Sequence, residues 1–190
     1  YLIYNQNSFA ESVLEVTNDD LIIGDENAPI TIIEYASLSC NHCADFHINT
    51  LPEIKKEFID NGKVRFVFRD FPFNYPALLG AMVLQCVPND MRYDYSDALF
   101  RLQKKWVVRE NKESTKELYK IMQSGGMSKD DFNKCINNTQ IEEKILKGLM
   151  DAQKEFNIKS TPSFIINGKL YEGNKPFKDF KKILNTLLSK

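Results

Sequence analysis

The chain has 190 residues, of which 43% are hydrophobic, so it can bury one sizeable core and predicts one folded unit, with room for an insertion. Its 25 basic residues nearly balance its 26 acidic residues, giving a net charge of -1, which argues against a nucleic-acid partner. The longest apolar run, residues 76–87, is too short to span a bilayer. These bulk properties favour a soluble protein.

The N-terminal part of the chain predicts a short polar segment followed by a strand. The chain begins with Tyr1 instead of Met, which we interpret as the removal of a leader or membrane anchor. Residues 1–20 are mixed and polar, and we assign them no function. The apolar stretch 21–23 precedes a turn cluster, 24–29, and the segment 30–36 is rich in β-branched residues. The last of these predicts a strand.

Two cysteines separated by two residues follow that strand, in the order Cys40-Asn41-His42-Cys43. At the N-terminus of a helix, unpaired backbone N–H groups carry partial positive charge, which favours the thiolate of the first cysteine. We therefore predict that Cys40 is the nucleophile. Cys43, one turn further in, is expected to be less exposed and to resolve a mixed disulfide by attacking the Cys40 sulfur.

The segments after the motif predict a helix, a strand and a block of helices. Apolar residues at helical spacing predict a helix of about five turns, kinked at Pro52 and ended by a glycine at position 62. Residues 63–68 predict a second strand, and strand–helix–strand order is typical of a parallel pair. Five helical patterns without a convincing strand come next, at 77–87, 95–105, 112–122, 129–136 and 141–156.

The C-terminal part predicts a hairpin and a closing helix. Asn167-Gly168 is a typical hairpin turn between residues 163–166 and 169–172, and residues 177–188 form an amphipathic helical pattern. The order βαβ, helical insertion, ββα is an α/β arrangement, the thioredoxin fold with an inserted helical domain. The predicted boundaries are 1–20 for the N-terminal segment, 21–75 and 157–190 for the thioredoxin-like domain, and 76–156 for the inserted helical domain.

Between residues 23 and 188 the chain resembles the DsbA-type thiol:disulfide oxidoreductases. The resemblance is carried by the segments 24–29, 34–39 with the cysteine motif, 67–72, 161–168 and the closing helix. It implies that Cys40 and Cys43 carry the redox chemistry. It also implies that Thr161 and Pro162 form a substrate-binding loop beside them, with Pro162 in the cis form, because a proline without an N–H lets the neighbouring backbone pair with an extended peptide.

Three further residues are candidates for the same site. The imidazole of His42, with nearby N–H groups, is suited to stabilising a thiolate on Cys40. Asn41 occupies a position where the best-known oxidases of this family carry proline, and the dipeptide between the cysteines tunes the oxidising strength. Glu34 is a carboxylate in an otherwise apolar strand. The resemblance implies a buried acid that shuttles protons to Cys43, and a structural ion pair is the alternative.

The remaining cysteines, Cys86 and Cys135, stand 49 positions apart in two helical patterns. They are either two buried free thiols or a structural disulfide, which would indicate an oxidising compartment. The resemblance favours the disulfide, because some DsbA-type proteins carry cysteine at these positions. A bond there would close a loop of about 50 residues and contribute about 4 kcal/mol at most.

Two other patterns have a structural and a functional interpretation. His47 is predicted to lie on a helix face. The alternative, a zinc site shared with His42, is disfavoured because the chain has two histidines and one Cys-X-X-Cys motif. Trp106, Phe100 and Leu102 are predicted to be core residues, although large aromatic residues can also line a substrate groove.

The resulting functional prediction is a periplasmic enzyme that introduces disulfides into reduced, exported polypeptides and is reoxidised by a membrane partner. We expect no cofactor or metal. We also expect a monomer, because about twenty residues before the first strand are too few for the dimerisation region of the isomerases. A disulfide isomerase or reductase is the alternative, since Thr161-Pro162 also occurs in that branch. A copper-binding thiol chaperone that uses Cys40 and Cys43 is a further alternative.

Overall fold

In the computed structural model, the described residues are 13–17 and 19–189. Residues 1–12 and 18, which make up most of the predicted N-terminal segment, lie outside them. The centre of the molecule is a five-stranded sheet with the spatial order β1-β3-β2-β4-β5. Its strands are β1 (Leu21–Ile23), β2 (Ile30–Ala36), β3 (Val64–Asp70), β4 (Ser163–Ile166) and β5 (Lys169–Glu172).

The two central strands, β2 and β3, are parallel, and the other three pairs are antiparallel. Their register runs from Ile30 opposite Val64 to Ala36 opposite Asp70, so both strands end at the same edge of the sheet. The chain leaves β2 at that edge and enters the cysteine motif four residues later. The sheet edge thus fixes where the motif lies, as expected for a strand–helix–strand unit.

One helical run, α1, covers residues 41–59 and connects the two parallel strands. It alternates between α-helical and π-helical turns, Asn41–Asp45, Phe46–Thr50, Leu51–Ile54 and Lys55–Ile59, of which the second and fourth are π-helical. The first π-helical turn ends two residues before Pro52, where a kink was predicted. A proline ring clashes with the carbonyl four residues earlier, and the wider turn accommodates it.

Six helices lie between β3 and β4. They are α2 (Tyr75–Gln85), α3 (Arg92–Arg101), α4 (Gln103–Trp106), α5 (Asn111–Ser124), α6 (Lys129–Ile136) and α7 (Thr139–Phe156). The predicted helix 95–105 is divided, because Leu102 leaves the helical conformation. This break brings Gln103 and Trp106 into the interior. The closing helix, α8, spans Phe177–Leu188.

The strands bury different residues on the two faces of the sheet. In β2, Ile32 and Ala36 belong to the larger core, and Ile33 and Tyr35 belong to a smaller one that includes Ala152 of α7. This alternation was expected from the strand period of two. The larger core contains Trp106 and Phe100, both fully buried, so the prediction that they are core residues is confirmed. Over the described ranges, no helix is long and apolar enough to cross a membrane.

Arg69 of β3 binds the segment that precedes β1. Its guanidinium binds the carboxylate of Asp20 through two parallel hydrogen bonds of 2.8 and 2.9 Å, and it also donates to the carbonyl oxygens of Val13 and Glu15. The Tyr35 hydroxyl lies 3.1 Å from the same guanidinium. Paired bonds between a guanidinium and a carboxylate are strong and directional. They position the described residues 13–17 and 19–20 beside β3.

Candidate active site

Cys40 lies at the position that caps the N-terminus of α1. Its backbone is extended, with φ -84° and ψ 120°, and its N–H donates to the Ser37 carbonyl at 2.9 Å. The sulfur accepts a hydrogen bond from the backbone N–H of Cys43 at 3.3 Å. Sulfur thus takes the place of the side-chain oxygen that usually caps a helix. The first N–H groups of α1, which have no partner within the helix, point toward it.

This environment lowers the pKa of the Cys40 thiol to about 5. The largest cause is a hydrogen bond from the Cys43 side chain, and the Thr161 hydroxyl and the backbone N–H groups of Cys43 and His42 act in the same direction. Partial burial opposes them. The Thr161 hydroxyl oxygen is buried and has no hydrogen-bond partner of normal geometry. Cys40 is therefore largely a thiolate at neutral pH, the reactive form of cysteine.

Cys43 has the opposite environment, although it is three residues away. Its side chain is fully buried, and burial is the main cause that raises the pKa of its thiol. The hydrogen bond that it gives to Cys40 and the negative charge of Glu34 raise that pKa further. Both cysteines of the motif are free thiols in the structure. The two sulfurs thus differ strongly in the ease with which each holds a negative charge.

Glu34 lies in the middle of β2 and is completely buried. Burial raises the pKa of its carboxyl group, and the neighbouring His47 acts against this shift. Carboxyl oxygen Oε2 is 2.7 Å from His47 Nε2, and Oε1 has no hydrogen-bond partner. The negative charge of Glu34 raises the pKa of the Cys43 thiol, and the charge of Cys40 raises the pKa of Glu34, so the buried acid is electrostatically coupled to both cysteines.

His47 lies on a face of α1, as predicted, and that face is buried. Its side chain is 2% exposed, and its ring is stacked on Phe100, with the ring centres 4.0 Å apart. His47 belongs to the π-helical turn Phe46–Thr50, in which it is buried together with Phe46. A buried partner on β2 explains why a histidine is tolerated there, because buried polar groups require a hydrogen bond.

The loop before β4 lies beside the cysteine motif, as the resemblance implied. The Thr161–Pro162 peptide bond is cis. The carbonyl oxygen of Thr161 is 3.5 Å from Cys40 Sγ, which donates to it in the thiol form. The structure therefore brings together Thr161 and Cys40, which are 121 positions apart in the chain. The role of Thr161 and Pro162 in binding a substrate remains a prediction.

Asn41 and His42 occupy the first turn of α1 with exposed side chains. The part of His42 that lowers the Cys40 pKa is its backbone N–H. Part of the stabilisation of the Cys40 thiolate at position 42 therefore comes from the backbone N–H, which every residue other than proline has. The effects of the Asn41 side chain and the His42 imidazole on the redox pair remain predictions.

Gln103 is a residue of this site that the sequence did not indicate. Its side-chain amide, 5% exposed, donates from Nε2 to the carbonyl oxygens of Leu38 at 2.8 Å and Cys40 at 3.1 Å. It comes from α4, so the helices inserted between β3 and β4 contact the active-site loop directly. A glutamine in a mostly apolar helical segment is a weak signal, because its partner lies more than 60 positions away.

The second pair of cysteines is joined in the structure. Cys86, at the end of α2, and Cys135, in α6, form a disulfide with their Cα atoms 6.3 Å apart. Cys135 is buried, and its sulfur lies 2.9 Å from the Met82 carbonyl oxygen. In the part of the chain that the structure describes, no group of three or more histidine, cysteine or acidic side chains is arranged to hold a metal ion.

Comparison with known proteins supports the same family as the geometry. The family model described as Thioredoxin matches residues 16–186, which include every residue of the site. The crystal structure of Wolbachia pipientis alpha-DsbA1 is 32% identical to this chain, with a TM-score of 0.88, over 95% of this chain and 96% of that one. The chain belongs to the DsbA-type branch of the thioredoxin family. Its fold class is therefore confirmed.

Two curated relatives extend this comparison. A probable disulfide bond formation protein D of Bacillus anthracis is 30% identical over 179 residues, which are 88% of this chain and 78% of the relative. A putative protein-disulfide oxidoreductase of Rickettsia typhi is 28% identical over 155 residues, or 81% of this chain. The chain spans 57% of the length of that Rickettsia relative.

Proposed function

We propose that this DsbA-type chain is a thiol:disulfide oxidoreductase that donates the Cys40–Cys43 disulfide to pairs of thiols in reduced polypeptides. The observation that carries the proposal is the opposite shift of the two thiol pKa values, to about 5 for Cys40 and upward for the buried Cys43. A thiolate stabilised on Cys40 favours the reduced pair, so the oxidised pair becomes a stronger oxidant.

The first step is the opening of the enzyme disulfide. A substrate thiolate attacks Cys40 Sγ, the half-exposed sulfur, and a substrate–Cys40 bond forms while the Cys40–Cys43 bond breaks. The electron pair of the broken bond goes to the Cys43 sulfur. Because that sulfur is buried, it requires a proton, and the adjacent Glu34 carboxyl group is suited to donate one.

The second step releases the oxidised substrate. A second substrate thiolate attacks the substrate sulfur of the mixed disulfide, forms the substrate disulfide and displaces Cys40 as a thiolate. The hydrogen bonds at the N-terminus of α1 stabilise this leaving group. Two substrate thiols are thereby oxidised and the cysteine pair is reduced by two electrons. A membrane oxidoreductase is the proposed acceptor that restores the enzyme disulfide.

The proposed setting is the periplasm or an equivalent exported compartment, and the proposed substrates are unfolded polypeptides that carry free thiols. The Cys86–Cys135 disulfide supports this setting, because structural disulfides persist in oxidising compartments. We propose that the thioredoxin-like part acts as a monomer. Thr161 and Pro162 are the proposed contact for an extended substrate segment, since their loop borders Cys40.

The direct test is oxidative folding of a reduced, disulfide-containing model protein by the oxidised chain. We expect stoichiometric transfer of disulfides, and no transfer by the Cys40→Ala variant. A parallel assay with a scrambled, fully oxidised model protein distinguishes the alternative function. Rapid reshuffling of that protein by the reduced chain, together with slow net oxidation, would identify an isomerase and overturn the oxidase proposal.

A further inference from the structure

The pair formed by Glu34 and His47 is buried among aromatic rings, and the charges of the two cysteines act on it. The titratable groups that face it are Cys40 and Cys43, both from α1 or its cap. The rings that surround the imidazole come from α1, β3 and α3, and none of them carries charge. They belong to Phe46, Phe66, Phe68 and Phe100. The pair is therefore electrostatically coupled to the thiols.

The two oxygens of the Glu34 carboxyl group have different surroundings. His47 Nε2 is 2.7 Å from Oε2, a separation that requires a proton between the two atoms. Oε1 is buried and has no hydrogen-bond partner. A buried carboxylate charge is costly in a protein interior, and protonation at Oε1 neutralises that charge. The geometry thus leaves one oxygen fixed and the other free to exchange a proton.

Two features of the chain hold His47 in this place. The π-helical turn Phe46–Thr50 brings both of its first residues into the core. The imidazole is then stacked on Phe100, which belongs to α3. Histidine differs from an apolar residue of similar size because it donates or accepts a proton near neutral pH. A π-helical turn inside an α-helix frequently marks a functional position.

We propose that His47 is a positioning residue for proton transfer: it holds Oε2 of Glu34, so that Oε1 exchanges the proton with the Cys43 sulfur. This inference rests on the proposed disulfide exchange and deepens it. When the enzyme disulfide opens, the electron pair stays on the Cys43 sulfur and the proton moves to it from Oε1. When the pair is reoxidised, the Cys43 thiol returns its proton to the Glu34 carboxylate as the sulfur–sulfur bond forms.

The test compares His47→Phe, His47→Gln and Glu34→Gln with the unmodified chain. The first measurement is the rate at which reduced glutathione opens the enzyme disulfide, divided by the concentration of glutathione thiolate, as a function of pH. The second is the carboxyl titration of Glu34, followed by carbon-13 NMR. His47 lowers the pKa of Glu34. Removing His47 therefore keeps Glu34 protonated to higher pH. In His47→Phe we expect the midpoint of the pH–rate profile and the midpoint of the Glu34 titration each to rise by about one pH unit or more.

The conservative variant separates positioning from packing. His47→Gln keeps an N–H donor for Oε2, so we expect a shift less than half of that in His47→Phe. Phe100→Leu removes the ring that is stacked on His47 without removing the hydrogen bond. We expect it to lower the unfolding temperature and leave the midpoint in place. Glu34→Gln should abolish the part of the pH–rate profile that follows the titration of Glu34. The double variant Glu34→Gln with His47→Phe should have the same profile as Glu34→Gln alone.

Unchanged midpoints in His47→Phe and His47→Gln, with Glu34→Gln still losing that part of the pH–rate profile, would overturn the inference and make His47 a packing residue. If His47→Phe does not fold, the carbon-13 titration in His47→Gln decides the question alone, and an unchanged Glu34 midpoint is then the contradicting result. Failure of the proposed function is distinct. In that case the oxidised, unmodified chain transfers no disulfide to a reduced model protein, whatever the His47 variants do.

Discussion

The two cysteine pairs of this chain have the same chemical groups and opposite surroundings. Cys40 and Cys43 are three residues apart at the start of a helix, one half-buried and one fully buried, and both are free thiols. Cys86 and Cys135 are 49 residues apart and bonded between two helices. The first pair has helix N–H groups and a buried acid next to it. The second pair joins two packed helices.

The difference shows what distinguishes a redox-active disulfide from a structural one. A redox pair needs one sulfur that holds a negative charge easily and one that does not, so that attack is directed at a single sulfur. The helix N-terminus supplies the first condition at Cys40, and burial supplies the second at Cys43. A structural disulfide needs a long loop to close, because it acts mainly by restricting the unfolded chain.

The largest expected effect is the loss of exchange on removal of the Cys40 sulfur. We expect Cys40→Ser to exchange thiols at the uncatalysed rate, whereas Cys43→Ser should accumulate a mixed disulfide through Cys40, because its resolving sulfur is absent. Intact-mass measurement after incubation of each reduced variant with a disulfide-linked peptide checks both, because the remaining thiolate attacks the peptide disulfide and releases one peptide thiolate. Accumulation of the adduct in Cys40→Ser instead would show that the two sulfurs have the reverse roles.

The acidity of Cys40 comes next. Titration of the reduced chain, followed by thiolate absorbance, should show a midpoint near pH 5 that is absent in Cys40→Ser. The folded pKa lies below the unfolded value, so the resulting stability is present at high pH and lost as pH falls through 5. The unfolding temperature of the reduced form, relative to the oxidised form, should therefore rise between pH 5 and 8. A midpoint near 9 would contradict the capping geometry.

The structural disulfide gives a smaller effect of a different kind. The variant with Cys86→Ala and Cys135→Ala should lose about 4 kcal/mol of unfolding free energy at most, since the bond closes a loop of about 50 residues. The redox equilibrium of Cys40 and Cys43 should remain unchanged. Denaturant unfolding and glutathione equilibration measure the two quantities. A displaced redox equilibrium would show that the two pairs are coupled.

Gln103 is the contact that connects the inserted helices to the redox loop, and its removal has the smallest expected effect. Gln103→Met keeps the size of the side chain and leaves the Leu38 and Cys40 carbonyl oxygens without their donor. We expect a loss of about 1 to 3 kcal/mol in denaturant unfolding. Gln123→Met, at an exposed position of α5, is the matched control. Equal losses in both variants would remove Gln103 from the site.

The fold and the reactive pair were predictable from local sequence signals. β-Branched runs, the Asn167-Gly168 turn and the spacing of Cys40 and Cys43 depend on neighbours in the chain. The hairpin shows this directly, because both turn residues have the positive φ values that such a turn requires. The position of Glu34 on the larger-core face also followed from strand alternation.

The supporting contacts were not predictable, because they connect distant parts of the chain. His47 was predicted to lie on a helix face, but its burial and its partner on β2 were not, because the π-helical turn that buries it has no clear sequence signal. Gln103 was missed because the break at Leu102 turns it inward, toward carbonyl oxygens of the loop before α1. The division of the chain into the domains 21–75 with 157–190 and 76–156 remains a prediction.

The redox equilibrium of Cys40 and Cys43 against a series of glutathione buffers tests the central claim most directly. Cys86 and Cys135 are followed in the same samples by mass after alkylation. We predict that the Cys40–Cys43 pair is half-reduced at a potential above about -220 mV, the oxidising end of the glutathione range, while the second pair stays bonded. A midpoint well below that range would mean that the pair donates electrons, and it would contradict the proposed oxidase.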